Sequence, residues 1–268
     1  MLEFISFGSG SSGNCYLLRT ESDALLIDVG VGLRALKKNF LEYGISCSDI
    51  HHVLVTHDHA DHIKSVGSLS NDWHLPVYAT AEVHHGILLN KCVRSKISTA
   101  DRKIIEKDHT YQLGEFTVMP FHVPHDSSDC VGYRITCQDT VVCIMTDAGI
   151  ITEQMQQLIG EAHFLVIEAD YDIEMLIKGS YPQDLKDRIL SENGHLSNRD
   201  CGEAIAQFAT PCLRQVCLCH LSDKNNHPEL ARKTIEMILR QHGIIAGVDF
   251  HLDCLKRNKP TGPFLLHE

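Results

Sequence analysis

The chain has 268 residues, of which 43% are hydrophobic and 22% charged, a composition ordinary for a soluble globular protein. It excludes collagen-like, coiled-coil and disordered chains, and no apolar run approaches the roughly 20 residues of a membrane-spanning helix. No basic segment followed by an apolar one marks a signal peptide, so we expect a cytoplasmic protein. The net charge of −11, from 24 basic and 35 acidic residues, argues against gripping nucleic acid through a broad basic face. It leaves open a nuclease whose metal ions contact the phosphates.

The cysteine pattern predicts reduced thiols. Eleven cysteines occur without a CxxC pair or a pattern of paired spacings, and no export signal is visible. Cys217 and Cys219 lie one residue apart on an apolar run, which suits the interior of a strand better than a zinc site. Histidine is the unusual residue, with 18 in the chain, so the positions where it clusters are the ones to inspect.

Short β-rich runs alternate with helical stretches, and no low-complexity tract or linker divides them, so we expect one domain over residues 1–268. The first predicted elements are a hairpin of strands 16–18 and 24–27, a helix at 33–43, and strands at 53–56 and 77–79. Next come strands at 116–119, 132–136 and 140–145, a helix at 153–159 and a strand at 164–167. A helix at 201–208, a strand at 215–219 and a helix at 229–242 follow. This alternation predicts a layered α/β domain.

A weak internal repeat supports the layered arrangement. A hairpin closing on Asp28, a helix and the strand at 53–56 form the first unit. A hairpin closing on Asp147, a helix and the strand at 164–167 form the second. In both units an Asp-x-Gly ends the hairpin and a polar cluster follows the next strand. The repeat predicts a pseudo-two-fold sandwich whose polar strand ends meet where ligands bind in α/β folds.

The sharpest functional signal follows the strand at 53–56, where residues 56–62 read THDHADH. His57 and His59 leave the strand end two residues apart, and Asp61 and His62 lie one turn further on, where they could serve a second metal ion. Neutral imidazole and carboxylate suit zinc, manganese or ferrous iron. The alternative is a solvated polar loop in which histidines coincide by chance.

Two metal ions need further ligands, and three other predicted strands end near suitable residues. His125 follows the strand at 116–119, Asp147 closes the second hairpin and could bridge both ions, and His220 follows the strand at 215–219. Each alone is more often a capping or surface residue. Because each closes a strand of one sheet system, we interpret them together as ligands.

These residues, with Asp28, resemble the five motifs of the metallo-β-lactamase superfamily in order, over nearly the whole chain. The resemblance implies a four-layered αβ/βα sandwich, with two mixed sheets flanked by helices. It implies a first ion on His57, His59, His125 and Asp147, and a second ion on Asp61, His62, Asp147 and His220. Asp28 is then expected to orient the site by hydrogen bonds. Lactamases often have a cysteine near the second ion, so the carboxylate of Asp61 argues against antibiotic hydrolysis.

Two further motifs indicate a branch of that superfamily. Glu168 and the GHLSN of residues 194–198 resemble the Glu and Gly-His-Ser/Thr pair of the tRNA 3′-processing and phosphodiesterase branch. The resemblance implies that His195, steered by Glu168, gives a proton to the leaving oxygen. The alternative for His195 is a surface residue that precedes a helix cap. The 26 residues between Glu168 and His195 leave no room for a large nuclease insertion or a long tRNA-binding arm.

The opening SFGSGSSGNCY and the stretch 179–190 resemble the YycJ/WalJ-like metal-dependent hydrolases, regarded as 5′ exonuclease-like phosphodiesterases. The glycine/serine loop lacks the lysine of a P-loop, yet its amides and hydroxyls could meet a phosphate. A tight turn between strands is an equal alternative. The substrate-binding candidates are Ser9, Ser11, Ser12, Asn14 and Arg188, although a solvated helix face also accounts for Arg188.

Together these features predict a phosphodiesterase with two divalent ions, zinc or manganese, most simply an exonuclease-like enzyme acting on DNA or RNA. A metal-bridging hydroxide would attack phosphorus. His195, Glu168 and Asp61 are the expected catalytic residues. A phosphodiesterase for cyclic nucleotides or other small substrates, an acyl, thioester or lactone hydrolase of the same fold, and a non-enzymatic metal or redox sensor are the alternatives. A homodimer is left open, and no membrane partner is expected.

Overall fold

The computed structural model describes residues 1–266, and within them fourteen strands form two seven-stranded mixed sheets. The first sheet has the order β14-β1-β2-β3-β4-β5-β6. Its strands are β1 (Leu2–Gly8), β2 (Cys15–Arg19), β3 (Ala24–Ile27), β4 (Ile50–Leu54), β5 (Val77–Ala79), β6 (Arg102–Ile104) and β14 (Thr261–Leu266). The second has the order β13-β12-β11-β10-β9-β8-β7. Its strands are β7 (Tyr111–Leu113), β8 (Phe116–His122), β9 (Val131–Cys137), β10 (Thr140–Met145), β11 (Phe164–Glu168), β12 (Gln215–Cys219) and β13 (His251–Cys254).

Helices cover the outer face of each sheet. Against the first sheet lie α1 (Leu33–Glu42), α2 (Ala60–Ile63), α3 (Val66–Trp73) and α4 (Ala81–Leu89). Against the second lie α5 (Glu153–Glu161), α8 (Asn198–Phe208) and α9 (Pro228–Gln241). Two short helices, α6 (Ile173–Lys178) and α7 (Gln183–Ile189), form a small apolar cluster of their own. None of the helices in the described range is both long and apolar enough to cross a bilayer.

Alternating side chains make the layers. In β3, Leu25 and Ile27 point into the core between the sheets, whereas Leu26 packs under the helices of the first sheet. In β11, Val166 faces the inter-sheet core and Ile167 faces α5, α8 and α9. These strands are apolar on both faces because each sheet is covered on both sides. The structure therefore confirms the predicted four-layered αβ/βα sandwich.

The two sheets repeat one topology, as the internal repeat predicts. Strands β1 to β6 occupy the same order in the first sheet as β8 to β13 in the second. In each sheet a hairpin leads into parallel strands, β3 to β6 and β10 to β13. The carboxyl ends of the parallel strands lie at one edge of the sandwich. Asp28 and Asp147, which close the two hairpins, both adopt left-handed backbone conformations, with φ of 59° and 56°.

Several predicted elements coincide with the observed ones, and the exceptions have physical reasons. Strands β3, β5, β10 and β12 have their predicted bounds, but the strand predicted at 53–56 runs from Ile50 to Leu54. Its early residues include His51 and His52, whose polarity hides the strand signal. The predicted elements leave out β6, β7, β13, β14, α2, α3, α4, α6 and α7, and they give β1 no bounds. Among residues 1–266 all eleven cysteines are free, and Cys217 and Cys219 are buried in a strand, as predicted.

Candidate metal centre and active site

The first group of candidate ligands lies on the loop after β4 and the loop after β8. Ligand atoms of His57, His59 and His125 all lie within 4.8 Å of one another. His57 is fully buried, and its Nδ1 lies 3.0 Å from the hydroxyl of Thr56. Its Nε2 is buried without a hydrogen-bond partner in the described chain. A buried nitrogen left unpaired costs free energy unless a ligand fills the place, so His57 Nε2 fits a metal ion.

The second group lies on α2 and at the end of β12. Asp61 Oδ2 lies 3.4 Å from His220 Nε2 and 3.6 Å from His62 Nε2. His62 is fully buried and His220 nearly so, and Asp61 is accessible on one side. Three ligand atoms of mixed imidazole and carboxylate type therefore converge on one point beside the first group.

Asp147 lies between the two groups. Its Oδ2 is 3.2 Å from His62 Nε2, and its Oδ1 is 3.4 Å from His220 Nε2 and 3.9 Å from His125 Nε2. Both Asp147 and His220 have positive φ, 56° and 54°; Asp147 lies two residues beyond β10 and His220 one residue beyond β12. Left-handed backbone at non-glycine residues is rare and concentrates at functional sites. The strained turns aim both side chains at the space shared by the two groups.

Asp28 orients the second group from behind. Its Oδ1 accepts the Thr56 amide at 2.8 Å, and its Oδ2 accepts the Thr56 hydroxyl at 2.9 Å and His62 Nδ1 at 2.7 Å. A proton on His62 Nδ1 leaves His62 Nε2 free for a ligand. This is the hydrogen bond that a metal-binding histidine ordinarily makes with its other nitrogen.

The pKa values of the clustered histidines and carboxylates are shifted because these side chains are buried next to one another. Burial opposes the charged form of His62 and His220, but Asp147 and other carboxylates nearby raise the pKa of both well above the usual value. Burial raises the pKa of Asp147, and His220 and His62 outweigh it and lower that pKa well below its usual range. Burial lowers the pKa of His57 and His125. Metal binding at this centre would therefore release protons from His62 and His220, because an imidazole must be neutral to bind a metal.

His195 lies beside the second group and shares a carboxylate with it. Glu168 Oε1 is 3.1 Å from His220 Nδ1, and ligand atoms of Asp147, Glu168, His195 and His220 all lie within 4.8 Å of one another. His195 Nδ1 lies 2.8 Å from Glu168 Oε1. The amides of Ala148 and Leu196 donate to Glu168 Oε2 at 2.8 and 3.1 Å, so this buried carboxylate is held on both sides. Burial lowers the pKa of His195, but the Glu168 carboxylate outweighs it and raises the pKa to about 9.

The family of the chain follows from comparison with known proteins. A model described as a Beta-lactamase superfamily domain matches residues 24–221. The chain belongs to the metallo-β-lactamase superfamily. An exodeoxyribonuclease YycJ of Bacillus anthracis is 32% identical over 260 residues, which cover 97% of both chains. An exodeoxyribonuclease WalJ of Streptococcus pneumoniae is 34% identical over 242 residues, 90% of both chains.

The fold agrees with that assignment. A metallo-β-lactamase fold protein, YhfI from Bacillus subtilis, superposes with a TM-score of 0.71 at 18% identity and covers 97% of this chain and 99% of its own. The YycJ-like relationship predicted from the opening residues and from 179–190 is confirmed by the two relatives. This metallo-β-lactamase-fold protein is a metal-dependent hydrolase.

Two of the predicted substrate-binding residues, Ser9 and Asn14, are buried against candidate metal ligands. Ser9 is fully buried; its hydroxyl lies 2.9 Å from Tyr16 OH and accepts the His220 amide at 3.0 Å. Asn14 is also fully buried, with its Nδ2 at 2.9 Å from His62 Nε2 and 3.3 Å from Asp61 Oδ2. Both side chains position candidate ligands and are closed to solvent, which differs from the predicted role. Ser11 and Ser12 are exposed at the tip of the same loop.

Arg188 is linked to the first group of candidate ligands by Asp126, which contacts both. Its guanidinium forms a two-pronged pair with Asp126, the Nη2 branch at 2.9 Å. Asp126 Oδ1 is in turn 3.5 Å from His125 Nε2 and 4.0 Å from His59 Nε2. Asp126 and Thr56 are not among the predicted site residues. Each directly adjoins a candidate ligand histidine in the sequence, and that position could have indicated them.

Proposed function

We propose that this hydrolase is a dinuclear phosphodiesterase that degrades DNA as an exonuclease. The observation that carries the proposal is the His195–Glu168 pair, in which a buried carboxylate holds Nδ1 of a histidine at 2.8 Å. The ligand atoms of this pair also converge with those of Asp147 and His220, and we assign His195 to proton donation and not to metal binding. The relatives named exodeoxyribonucleases, aligned over almost their whole length, support DNA as the substrate. A poor alkoxide leaving group needs a proton as it departs, and this pair is placed to supply one. An acyl hydrolase of the same fold would not need the pair.

Seven side chains would hold the ions. The first ion would take His57, His59, His125 and Asp147, and the second would take Asp61, His62, Asp147 and His220. Such a donor set of imidazole nitrogen and carboxylate oxygen suits zinc or manganese, and no thiolate takes part. Bound divalent ions act as Lewis acids toward phosphoryl oxygens and lower the pKa of water toward about 7.

The protein's own groups would deliver the proton and place the substrate. Glu168 Oε1 accepts the proton on His195 Nδ1, which turns His195 Nε2 away from the carboxylate. His195 Nε2 would then hold the second proton, at the atom that faces the departing oxygen. Arg188 and the exposed Ser11 and Ser12 would contact the substrate phosphates around the site.

The test replaces the proposed acid and changes the leaving group. His195→Ala should leave metal content near two ions while it lowers DNA cleavage by about 10²–10⁴-fold, the ordinary contribution of a general acid. The loss should shrink for bis(p-nitrophenyl) phosphate, because p-nitrophenolate departs without a proton. Metal content is measured by elemental analysis, and cleavage with end-labelled DNA. His251→Ala, which removes an exposed histidine at the start of β13, is the control.

Two results would refute the assignment. A His195→Ala protein that has lost one ion would show that His195 is a ligand. Equal rates for wild type and His195→Ala on both substrates would show that His195 has no chemical role. Failure of the metal-loaded wild type to cleave DNA, with turnover of bis(p-nitrophenyl) phosphate retained, would limit the enzyme to small phosphodiesters.

A further inference from the structure

The connection between β13 and β14 is basic in a protein that is acidic overall. Residues 256–259 read KRNK, whereas the whole chain carries a net charge of −11. Lys256 and Lys259 are exposed and form no ion pair within residues 1–266. Arg257 is half-buried, and its guanidinium pairs with Asp223 at 3.0 Å. Two lysines in this connection therefore keep their charge available to an anion.

This basic connection is fixed to the loop that supports the metal centre. The Ser9 amide donates to the Arg257 carbonyl at 3.2 Å, while the Ser9 hydroxyl accepts the amide of His220. Arg257 Nη1 donates to the carbonyl of Ser222, two residues beyond His220, at 2.9 Å. A single buried serine thus separates the basic connection from a candidate ligand.

The exposed tip of the glycine/serine loop adds neutral donors to the same rim. Ser12 donates its hydroxyl to Asn258, which ties the tip to the basic connection. The turn closes through a hydrogen bond from the Gly13 amide to the Gly10 carbonyl at 2.9 Å. Within the described chain the amides of Ser11 and Ser12 donate to no protein acceptor. Consecutive free amides and nearby cations are the groups that bind phosphate.

We propose that Ser11, Ser12, Lys256 and Lys259, held in place by Arg257, form a basic rim that binds backbone phosphates of the DNA strand beyond the bond that is cleaved. The inference rests on the proposed function and adds where the strand lies: on the His220 side of the centre. A small phosphodiester has no phosphate to place there, so the rim favours a polymer. Because the rim contacts only the backbone, it contributes affinity without base preference.

The experiment measures affinity and its salt dependence. Lys256→Gln/Lys259→Gln is compared with Lys38→Gln/Lys233→Gln, which removes two exposed lysines from the outer helices α1 and α9. Binding of a short fluorescent single strand with uncleavable phosphorothioate linkages is followed by anisotropy at several salt concentrations. Loss of two phosphate contacts should reduce the slope of log K against log salt by about 1.4, since each contact contributes about 0.7 on single strands. Turnover of bis(p-nitrophenyl) phosphate should equal that of the wild type.

The outcomes separate this inference from the proposed function. Wild-type affinity and slope in the rim variant, in a wild type that cleaves DNA, would overturn the rim and leave the nuclease intact. An equal loss in the control variant would reduce the effect to net charge and overturn the rim as well. A wild type that binds DNA through the rim but never cleaves it would overturn the nuclease and leave the rim standing.

Discussion

Asp28→Asn tests whether one buried carboxylate fixes the proton on His62. Asp28 is fully buried and accepts three hydrogen bonds, from the Thr56 amide, the Thr56 hydroxyl and His62 Nδ1. Asparagine has the same shape and tolerates the left-handed backbone of this position, with φ of 59°. The substitution therefore changes one acceptor into a donor and leaves the volume unchanged.

The new amide group has two orientations, and one is favoured. If Nδ2 faced the Thr56 amide, two donors would meet, and a buried unsatisfied donor costs about 1–3 kcal/mol. If Nδ2 faces His62, the Thr56 hydroxyl can rotate, and His62 Nδ1 becomes an acceptor. The neutral imidazole then carries its remaining proton on Nε2, the atom 3.2 Å from Asp147 and the one expected to bind metal. Replacing such a supporting carboxylate typically costs 10–100-fold in metal affinity, about 1.4–2.7 kcal/mol.

The measurement is a competition titration of the metal-free protein and a chromophoric chelator with zinc. We expect the affinity for one ion to fall by about 10–100-fold, while the thermal transition of the metal-free protein stays within a few degrees of wild type. Asp108→Asn is the matched control, because Asp108 also has positive φ, 64°, but lies outside the site. Equal zinc affinities for wild type, Asp28→Asn and Asp108→Asn would refute the tautomer argument.

Three further outcomes follow from the site. Asp147→Asn should weaken the binding of both ions, whereas Asp61→Asn should weaken the binding of one. Elemental analysis after dialysis measures the metal content, and retention of both ions by Asp147→Asn would contradict a bridging role. Removal of metal by a chelator should lower the thermal transition temperature, measured by calorimetry, by about 5–10 °C per site if each ion was present at about 100 times its Kd. An unchanged transition temperature would mean that the protein held no ion. Arg188→Gln should raise the KM for DNA several-fold with little change in kcat, in steady-state assays; a fall in kcat alone would assign Arg188 to the chemical step.

The sequence predicts the parts of this fold that rest on local pattern. Strands such as β10 and β12 are continuous apolar runs of the length that two covered faces require, so their bounds emerge directly. The edge strand β14 contains glycine and proline and is half-exposed, and its pairing with β1 joins the two ends of the chain. No local pattern encodes a pairing at that separation. Its place in the first sheet could come only from the structure.

The candidate ligands were predictable because they follow strand ends in a repeated unit, but the buried polar residues around them were not. Ser9 and Asn14 stand in a loop whose composition suits phosphate binding. Only the three-dimensional contacts show that they face His220 and His62. An exposed serine and a buried one have the same letter, and burial depends on which distant segment covers them. Sequence patterns therefore identify ligands more readily than the residues that orient them.

The arrangement of imidazole nitrogens links the metal centre to the proposed acid. His57, His62 and His125 each have Nδ1 near a protein oxygen, which leaves Nε2 for the shared space. The oxygen for His125 is the carbonyl of Gly194, at 3.0 Å, so the residue before His195 orients a candidate ligand. A side chain at Gly194 would lie 2.2 Å from the Ile189 carbonyl oxygen. Glycine is required there because the segment must pack that closely to present a carbonyl to His125 and an imidazole to Glu168 at once.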